Sequence, residues 1–181
     1  MKTNTFKDIV KPIAVLSCIC LVVAALLAYV NLVTAPIIKA AEEEKAAQAR
    51  AEVLSEADSF TMLEAENLPE EINEVYKADN EAGYVFIITV KGYGGDIKLI
   101  CGIKADGSIE LTKTLSHSET SGIGSRVVDN EGTYRNGYVG KTSDNFDEVD
   151  AISGATISST AYKKAVSAAF KAYETVKEAG L

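Results

Sequence analysis

The chain has 181 residues, which is enough for one ordinary domain and little more. It contains 18 Lys and Arg residues against 26 Asp and Glu residues, for a formal net charge of −8 at pH 7. Such an acidic surface repels nucleic acid, which argues against DNA or RNA as a partner. Three cysteines and one histidine are too few for the usual zinc or iron–sulfur sites, so no metal site is predicted. Any redox chemistry would therefore require an organic cofactor.

A long apolar stretch lies near the N-terminus. No charged residue occurs between Pro12 and Ile38, and about 20 apolar residues are enough to cross the hydrocarbon core as a helix. We therefore predict a transmembrane helix over residues 12–38. A cleavable signal peptide is the main alternative, but its apolar region would run only about 7–15 residues. The stretch V15-L-S-C18 loosely resembles a lipoprotein signal, yet cleavage there would leave a mature chain that begins with a long apolar run.

The charges on the two sides of this stretch differ in sign. Residues 1–11 carry three lysines against one aspartate, whereas three consecutive glutamates follow at 42–44. Positive charge favours the cytoplasmic side of a membrane. We therefore predict a single-pass protein of the cell membrane, with residues 1–11 in the cytoplasm and everything after the span outside it.

The extracytoplasmic part begins with a segment rich in Ala and Glu. This composition favours helix, and it predicts a helical stalk over residues 39–69 that leads into a domain over 70–181. Three later segments have the β-branched or alternating composition of strands, namely 84–90, 96–103 and 108–115. The dipeptide Asp106-Gly107 predicts a hairpin between the last two. The segment 116–149 is rich in glycine and polar residues, and we expect loops there with one short strand.

The C-terminal segment, 157–179, has the periodicity of an amphipathic helix. Its apolar residues recur at helical spacing and form one stripe: Tyr162, Val166, Ala169, Phe170, Tyr173 and Val176. This helix is expected to pack on the strands. The predicted fold class is α+β, a small antiparallel sheet flanked by helices and preceded by one N-terminal transmembrane helix.

Two glycine-containing loops follow predicted strands. The loop K91-G-Y-G-G95 fits a simple turn, in which glycine supplies φ > 0, but its three glycines also allow the backbone to approach a ligand. The loop S116-H-S-E-T-S-G-I-G-S-R126 fits a solvated loop. Alternatively, its glycines turn amides inward, and Glu119 and Thr120 meet the polar edge of a heteroaromatic ring. A lone histidine in a loop, such as His117, is usually a surface residue.

A third stretch, D150-A-I-S-G-A-T-I-S-S-T160, carries five hydroxyl groups directly before a helix. Ser, Thr and Asp cap helices, but one hydroxyl is enough for capping. A helix N-terminus also favours an anionic group such as phosphate. The stretch lacks the G-x-x-x-x-G-K-[ST] pattern of nucleotide-hydrolysing loops and the G-x-S-x-G pattern of a hydrolase nucleophile.

These motifs resemble the FMN-binding domain family. The sequence S153-G-A-T156, preceded by Asp150, is similar to that family's flavinylation motif, and G92-Y-G-G95 and E119-T-S-G-I-G124 are similar to its two other signature loops, in the same order. The resemblance implies that Thr156 is esterified to the phosphate of FMN by a separate flavin transferase, with FAD as donor and Asp150 serving recognition. Ser121 departs from the family, many of whose members have proline there.

The resemblance also implies a set of cofactor-binding residues and no catalytic residue. Besides Thr156 they are Ser153, Gly154, Ala155, Ser158, Ser159, Tyr93, Gly94, Gly95, Glu119, Thr120, Gly122 and Gly124. Within the family the chain is most similar to the G subunits of Rnf-type complexes. The implied function is electron relay by covalent FMN among the other proteins of a ferredoxin:NAD oxidoreductase complex coupled to Na⁺ or H⁺ translocation, with the ferredoxin and NAD sites on those other proteins.

Three alternatives remain open at the level of sequence. The C subunit of a sodium-pumping NADH:quinone reductase is related but usually longer. A free-standing, membrane-tethered flavin reductase would use the same cofactor, although the chain has no C-x-x-C-H haem motif. A non-redox scaffold would hold partners through its stalk and acidic surface, and it would be colourless when purified.

Overall fold

The computed structural model describes residues 10–180, so most of the predicted cytoplasmic segment 1–11 lies outside the described residues. Between residues 44 and 45 the chain divides into two compact units. The first unit contains most of helix α1 (Lys11–Val53). In the described part of the chain, α1 is the one helix long and apolar enough to cross a membrane, and none of its apolar segment is buried.

The second unit is built on an antiparallel sheet. Its five strands lie in the order β1-β2-β3-β4-β5, so that every connection joins neighbours. Their bounds are β1 Phe60–Leu63, β2 Ile72–Ala78, β3 Gly83–Lys91, β4 Asp96–Lys104 and β5 Ile109–His117. The predicted hairpin joins β4 to β5, where Gly107 takes a φ of +85°, a conformation that glycine adopts without steric cost. The predicted α+β class is confirmed.

Both faces of the sheet are covered. On one face, helix α3 (Thr156–Glu178) buries the predicted apolar stripe in the main hydrophobic core together with the side chains of Phe86, Ile88 and Leu99. The opposite face is covered by the C-terminal end of α1, where Val53 and the following Leu54 are fully buried in a second cluster with Val85, Ile87 and Ile100. The end of α1 is therefore part of the domain core.

The expected helical stalk over 39–69 was wrong for residues 54–69. Helix α1 ends at Val53, and strands β1 and β2, neither of which was predicted, follow it. Tertiary contacts end the helix. The Glu110 carboxylate accepts hydrogen bonds from the Ser55 backbone N–H, at 2.9 Å, and from its hydroxyl, at 2.5 Å. The Asn80 side chain donates to the Glu56 carbonyl at 2.6 Å, so local helix propensity is overridden.

The described segment between β5 and α3 contains no strand, and the expectation of one there was wrong. It holds a single-turn helix α2 (Ser125–Val128) and two 3₁₀ turns, Arg135–Tyr138 and Phe146–Glu148. Tyr134 and Tyr138 from this segment pack against Tyr162 of α3, with ring centroids 5.6 and 5.4 Å from that of Tyr162. This cluster places the segment against the first turns of α3.

Candidate functional site

Three loops surround a cavity of about 550 Å³ at one end of the sheet. The first loop (92–95) joins β3 to β4, the second (118–124) follows β5, and the third (150–155) precedes α3. The cavity is lined by residues of all three loops and of the first turn of α3: Tyr93, Glu119, Thr120, Ile123, Gly124, Gly154, Ala155, Thr156, Ile157 and Ser158. The topology thus brings together motifs that are far apart in the sequence.

Thr156 occupies the start of helix α3 at the wall of this cavity. Its side chain is exposed, and Ala155 stands at the N-cap position. No described side chain caps the helix, so the serine and threonine hydroxyls around it do not serve as caps. The preceding Gly154 has a φ of +82°, which allows the third loop to turn into the helix.

The carboxylate of Glu119, in the second loop, bonds to the first loop and to helix α3. One oxygen, Oε1, accepts hydrogen bonds from the backbone N–H groups of Tyr93 at 2.8 Å and Gly94 at 3.2 Å. The other oxygen, Oε2, accepts a hydrogen bond from the Ser158 hydroxyl at 2.6 Å. The Glu119 backbone N–H donates to Nδ1 of the exposed His117 at 3.2 Å. The sequence predicted that Glu119 meets the polar edge of a bound ring. Its side chain is instead 8% exposed, and its carboxylate accepts hydrogen bonds from the protein.

Glycines in the first two loops make room for this arrangement. A Cβ atom at Gly92 would lie 2.0 Å from Oε1 of Glu119, and one at Gly124 would lie 2.3 Å from Oε2. At Gly94 a Cβ atom would lie 2.1 Å from the backbone oxygen of Ser118. All three distances are far below a van der Waals contact. A side chain at Gly94 would collide with backbone, and one at Gly92 or Gly124 would displace the Glu119 carboxylate from its present position.

Large apolar side chains stand around the cavity with unusual exposure. Tyr93 is 70% exposed, Ile123 54% and Ile157 58%. The two isoleucines were not among the predicted site residues, although each lies inside one of the motifs. Their signal in the sequence was a bulky apolar residue in an otherwise small or polar loop. Such residues favour the exclusion of water from the face of a bound ring.

Most of the predicted binding residues line the cavity, but not all of them do. Those that line it are Tyr93, Glu119, Thr120, Gly124, Gly154, Ala155, Thr156 and Ser158. Those outside its lining are Gly94, Gly95, Gly122, Ser153 and Ser159. Ser159 is buried, and its hydroxyl accepts a hydrogen bond from the Ile152 backbone N–H at 3.1 Å. Ser153 and Asp150 are exposed in the third loop.

The tyrosine cluster supports the start of α3 from behind. The Tyr134 hydroxyl lies 3.4 Å from the Ser159 carbonyl oxygen, to which it donates, and 3.2 Å from the Tyr138 hydroxyl. Burial raises the pKa of Tyr138 and of Tyr162 well above the usual tyrosine range, so both hydroxyls stay protonated. We assign this cluster a structural role, because none of its members lines the cavity.

The chain is similar to a known protein family and to several individual proteins. Residues 92–171, which include the three loops and most of α3, match the family model described as FMN-binding domain. The chain is 30% identical over 185 aligned residues to the G subunit of the Na⁺-translocating ferredoxin:NAD⁺ oxidoreductase complex of Acetobacterium woodii, with 87% of each chain covered. It is 35% identical to the G subunit of the ion-translocating oxidoreductase complex of Methanosarcina acetivorans, covering 90% of this chain and 93% of the relative.

A third relative is similar over nearly the same span. This is the G subunit of the proton-translocating ferredoxin:NAD⁺ oxidoreductase complex of Clostridium ljungdahlii, 26% identical with 86% of both chains covered. The chain therefore belongs to the FMN-binding domain family and, within it, to the G subunits of ion-translocating oxidoreductase complexes. The resemblance noted in the sequence is confirmed.

Proposed function

We propose that the protein carries FMN, joined through a phosphoester to Thr156, and relays electrons with it as the G subunit of an Rnf-type complex. The observation that carries the proposal is the position of Thr156. Its side chain is exposed at the wall of a cofactor-sized cavity, at the start of a helix that no described side chain caps.

The residues around the cavity suit FMN. A volume of about 550 Å³ falls within the range of about 300–1,000 Å³ for small-molecule and cofactor sites. Tyr93, Ile123 and Ile157 offer apolar and aromatic surface for the isoalloxazine ring. Offset stacking on Tyr93 would add to the gain from excluding water.

The beginning of α3 suits the phosphate of the same molecule. The first N–H groups of a helix have no intrahelical acceptor, and the helix dipole favours negative charge at that end. Here the Ser158 hydroxyl donates to Glu119 and the Ser159 hydroxyl accepts from Ile152, so neither acts as a cap. We expect the backbone amides of the first turn, rather than these two serines, to hold the phosphate.

Attachment would follow from nucleophilic attack by the Thr156 hydroxyl. In the reaction of the flavin transferase, the Thr156 Oγ1 forms a bond to the phosphorus on the FMN side of FAD. The pyrophosphate P–O bond breaks, AMP leaves, and the hydroxyl proton is released, so no oxidant or reductant is consumed. Exposure of Thr156 gives the transferase access to it, and exposed Asp150, just upstream, would serve recognition.

The chain would contribute placement of the cofactor and control of its surroundings. When bound, FMN supplies transfer of one or two electrons. The apolar helix α1 would anchor the domain at the membrane, with the lysines of the N-terminal segment in the cytoplasm and the cavity on the other side. Ferredoxin and NAD would react on other proteins of the complex, and electron flow would be coupled to transport of Na⁺ or H⁺, the ions named for the relatives.

The attachment site can be tested by fluorescence of denatured protein. The full chain and its Thr156→Val variant would each be expressed with the flavin transferase and separated by denaturing electrophoresis. Valine keeps the shape of threonine but lacks the hydroxyl. We expect flavin fluorescence in the wild type and in the control variants Ser153→Ala and Thr160→Ala, and none in Thr156→Val. Fluorescence that persists in Thr156→Val would contradict the assignment.

A further inference from the structure

The Glu119 carboxylate bonds to two other parts of the cavity wall, the first loop and the start of α3. Its carboxylate accepts three hydrogen bonds, from the backbone N–H groups of Tyr93 and Gly94 and from the Ser158 hydroxyl. These donors lie 26, 25 and 39 residues away in the sequence and belong to the first loop and to α3. One buried side chain of the second loop therefore joins the first loop to the start of α3.

The surroundings of this carboxylate are shaped to hold it in place. Gly92 and Gly124 lie so close to its two oxygens that a Cβ atom at either position would approach them to 2.0 and 2.3 Å. The donors all point at the carboxylate, which acts only as an acceptor when ionised. Hydrogen bonds to a charged acceptor are stronger than those between neutral groups.

We infer that Glu119 is a positioning residue that closes the walls of the cavity before any cofactor is present. A second consequence concerns charge, and it rests on the proposed function. A negative charge fixed in the cavity wall disfavours the reduced ring, which is the more anionic form of the flavin. Glu119 would thereby lower the midpoint potential of the bound cofactor.

Two substitutions separate these effects. Glu119→Ala removes all the acceptors, and it leaves the N–H groups of Tyr93 and Gly94 without this partner. Glu119→Gln has nearly the same shape and removes the charge. Its amide oxygen can still accept from both N–H groups, and its NH₂ group can donate to the Ser158 hydroxyl. Glu131→Gln is the matched control, because Glu131 is exposed and does not line the cavity.

Loop closure is tested on the full chain in detergent, expressed without the flavin transferase and therefore independently of flavin attachment. Amide hydrogen exchange would be followed by mass spectrometry in peptides that cover residues 92–95, with the hairpin around Gly107 as internal reference. In Glu119→Ala we expect the amides of residues 92–95 to exchange at least about ten times faster than in the wild type, because they lose hydrogen bonds to a charged acceptor. Exchange in Glu119→Gln is expected to stay slower than in Glu119→Ala, because its amide oxygen still accepts from both N–H groups, and exchange in Glu131→Gln should match the wild type. Unchanged exchange in Glu119→Ala would overturn the positioning role.

The effect of charge is tested by redox titration of the flavin-loaded chain. We expect the midpoint potential of Glu119→Gln to rise, by an amount equal to a tenfold change in the reduced-to-oxidised ratio or about 30 mV for a two-electron couple. Glu131→Gln should match the wild type. An unchanged potential in Glu119→Gln would overturn the inference about charge. A chain that takes up no flavin would instead contradict the proposed function, while the exchange experiment would still decide whether Glu119 closes the loops.

Discussion

Residues 45–69 belong to the folded domain, so a fragment that begins at residue 70 is expected not to fold. Deletion would remove strand β1 and the end of α1, whose Val53 and the adjacent Leu54 are fully buried. Burial of one such side chain contributes about 1.5–3 kcal/mol, so these two account for about 3–6 kcal/mol. The sheet face that they cover would become exposed as well. The total free energy of unfolding of a domain is only about 5–15 kcal/mol.

The prediction can be measured by urea unfolding of two fragments, 45–181 and 70–181, followed by circular dichroism. We expect a cooperative transition for 45–181 and none for 70–181. Within 45–181, Leu54→Ala should lower the free energy of unfolding by about 2–5 kcal/mol, because it leaves a cavity in the core. Met62→Ala is the control, since Met62 is 55% exposed and its loss should cost about 0.5 kcal/mol or less. Cooperative unfolding of 70–181 with the midpoint of 45–181 would show that residues 45–69 are not needed for folding.

Further predictions concern a thiol, the topology and a glycine. Burial raises the pKa of Cys101 to about 12, so at pH 8 the thiol is protonated, and maleimide should label it in urea but not in the folded protein. A cysteine placed at exposed Ser143 should react with a membrane-impermeant maleimide on intact cells, whereas the parent chain should not. Gly94→Ala should force the first two loops apart, because its Cβ atom would lie 2.1 Å from the Ser118 backbone oxygen; this should change the absorption spectrum of the flavin without preventing its attachment. Gly140→Ala strains its own turn, where φ is +74°, but its new Cβ atom has no neighbour within 4 Å and Gly140 does not line the cavity, so the spectrum should stay unchanged.

Each of these predictions has an outcome that would contradict it. Rapid labelling of Cys101 in the folded protein would mean that the core opens at this position. Labelling at Ser143 only after cell lysis would reverse the orientation and place the cavity in the cytoplasm. Identical spectra for the wild type and Gly94→Ala would mean that the first loop does not influence the surroundings of the ring.

The elements that could be predicted from the sequence are those whose apolar residues recur with a clear period. Strands β3, β4 and β5 are rich in β-branched residues, and the apolar stripe of α3 recurs at helical spacing, so each element shows its buried face. Strand β1 has only four residues, of which the two at its ends are partly buried and the two in the middle are exposed. In strand β2, buried and exposed residues alternate less regularly. The conformation of β1 depends on pairing with β2, and that of β2 on pairing with β1 and β3, and composition does not reveal these pairings. The end of α1 was missed for a related reason, since Glu110 and Asn80 stop the helix from far along the chain.

The candidate site was predictable as a set of motifs but not as a set of contacts. Glycines and hydroxyls marked the three loops, and Thr156 was singled out by the motif around it. The sequence contained no sign that Glu119 would accept hydrogen bonds from the first loop, because that contact joins residues 25 and 26 apart. The same holds for Ser158, which was predicted as a cofactor-binding residue and whose hydroxyl donates to Glu119.

The most direct test of the central claim is a mass measurement. The full chain, expressed with the flavin transferase, would be analysed intact and after proteolysis, with Thr156→Val prepared in parallel. We expect the wild type to gain the mass of FMN less one water, with the added mass on the peptide that contains Thr156, and Thr156→Val to gain nothing. Added mass on a different residue, or a wild-type chain without it, would contradict covalent attachment of FMN at Thr156.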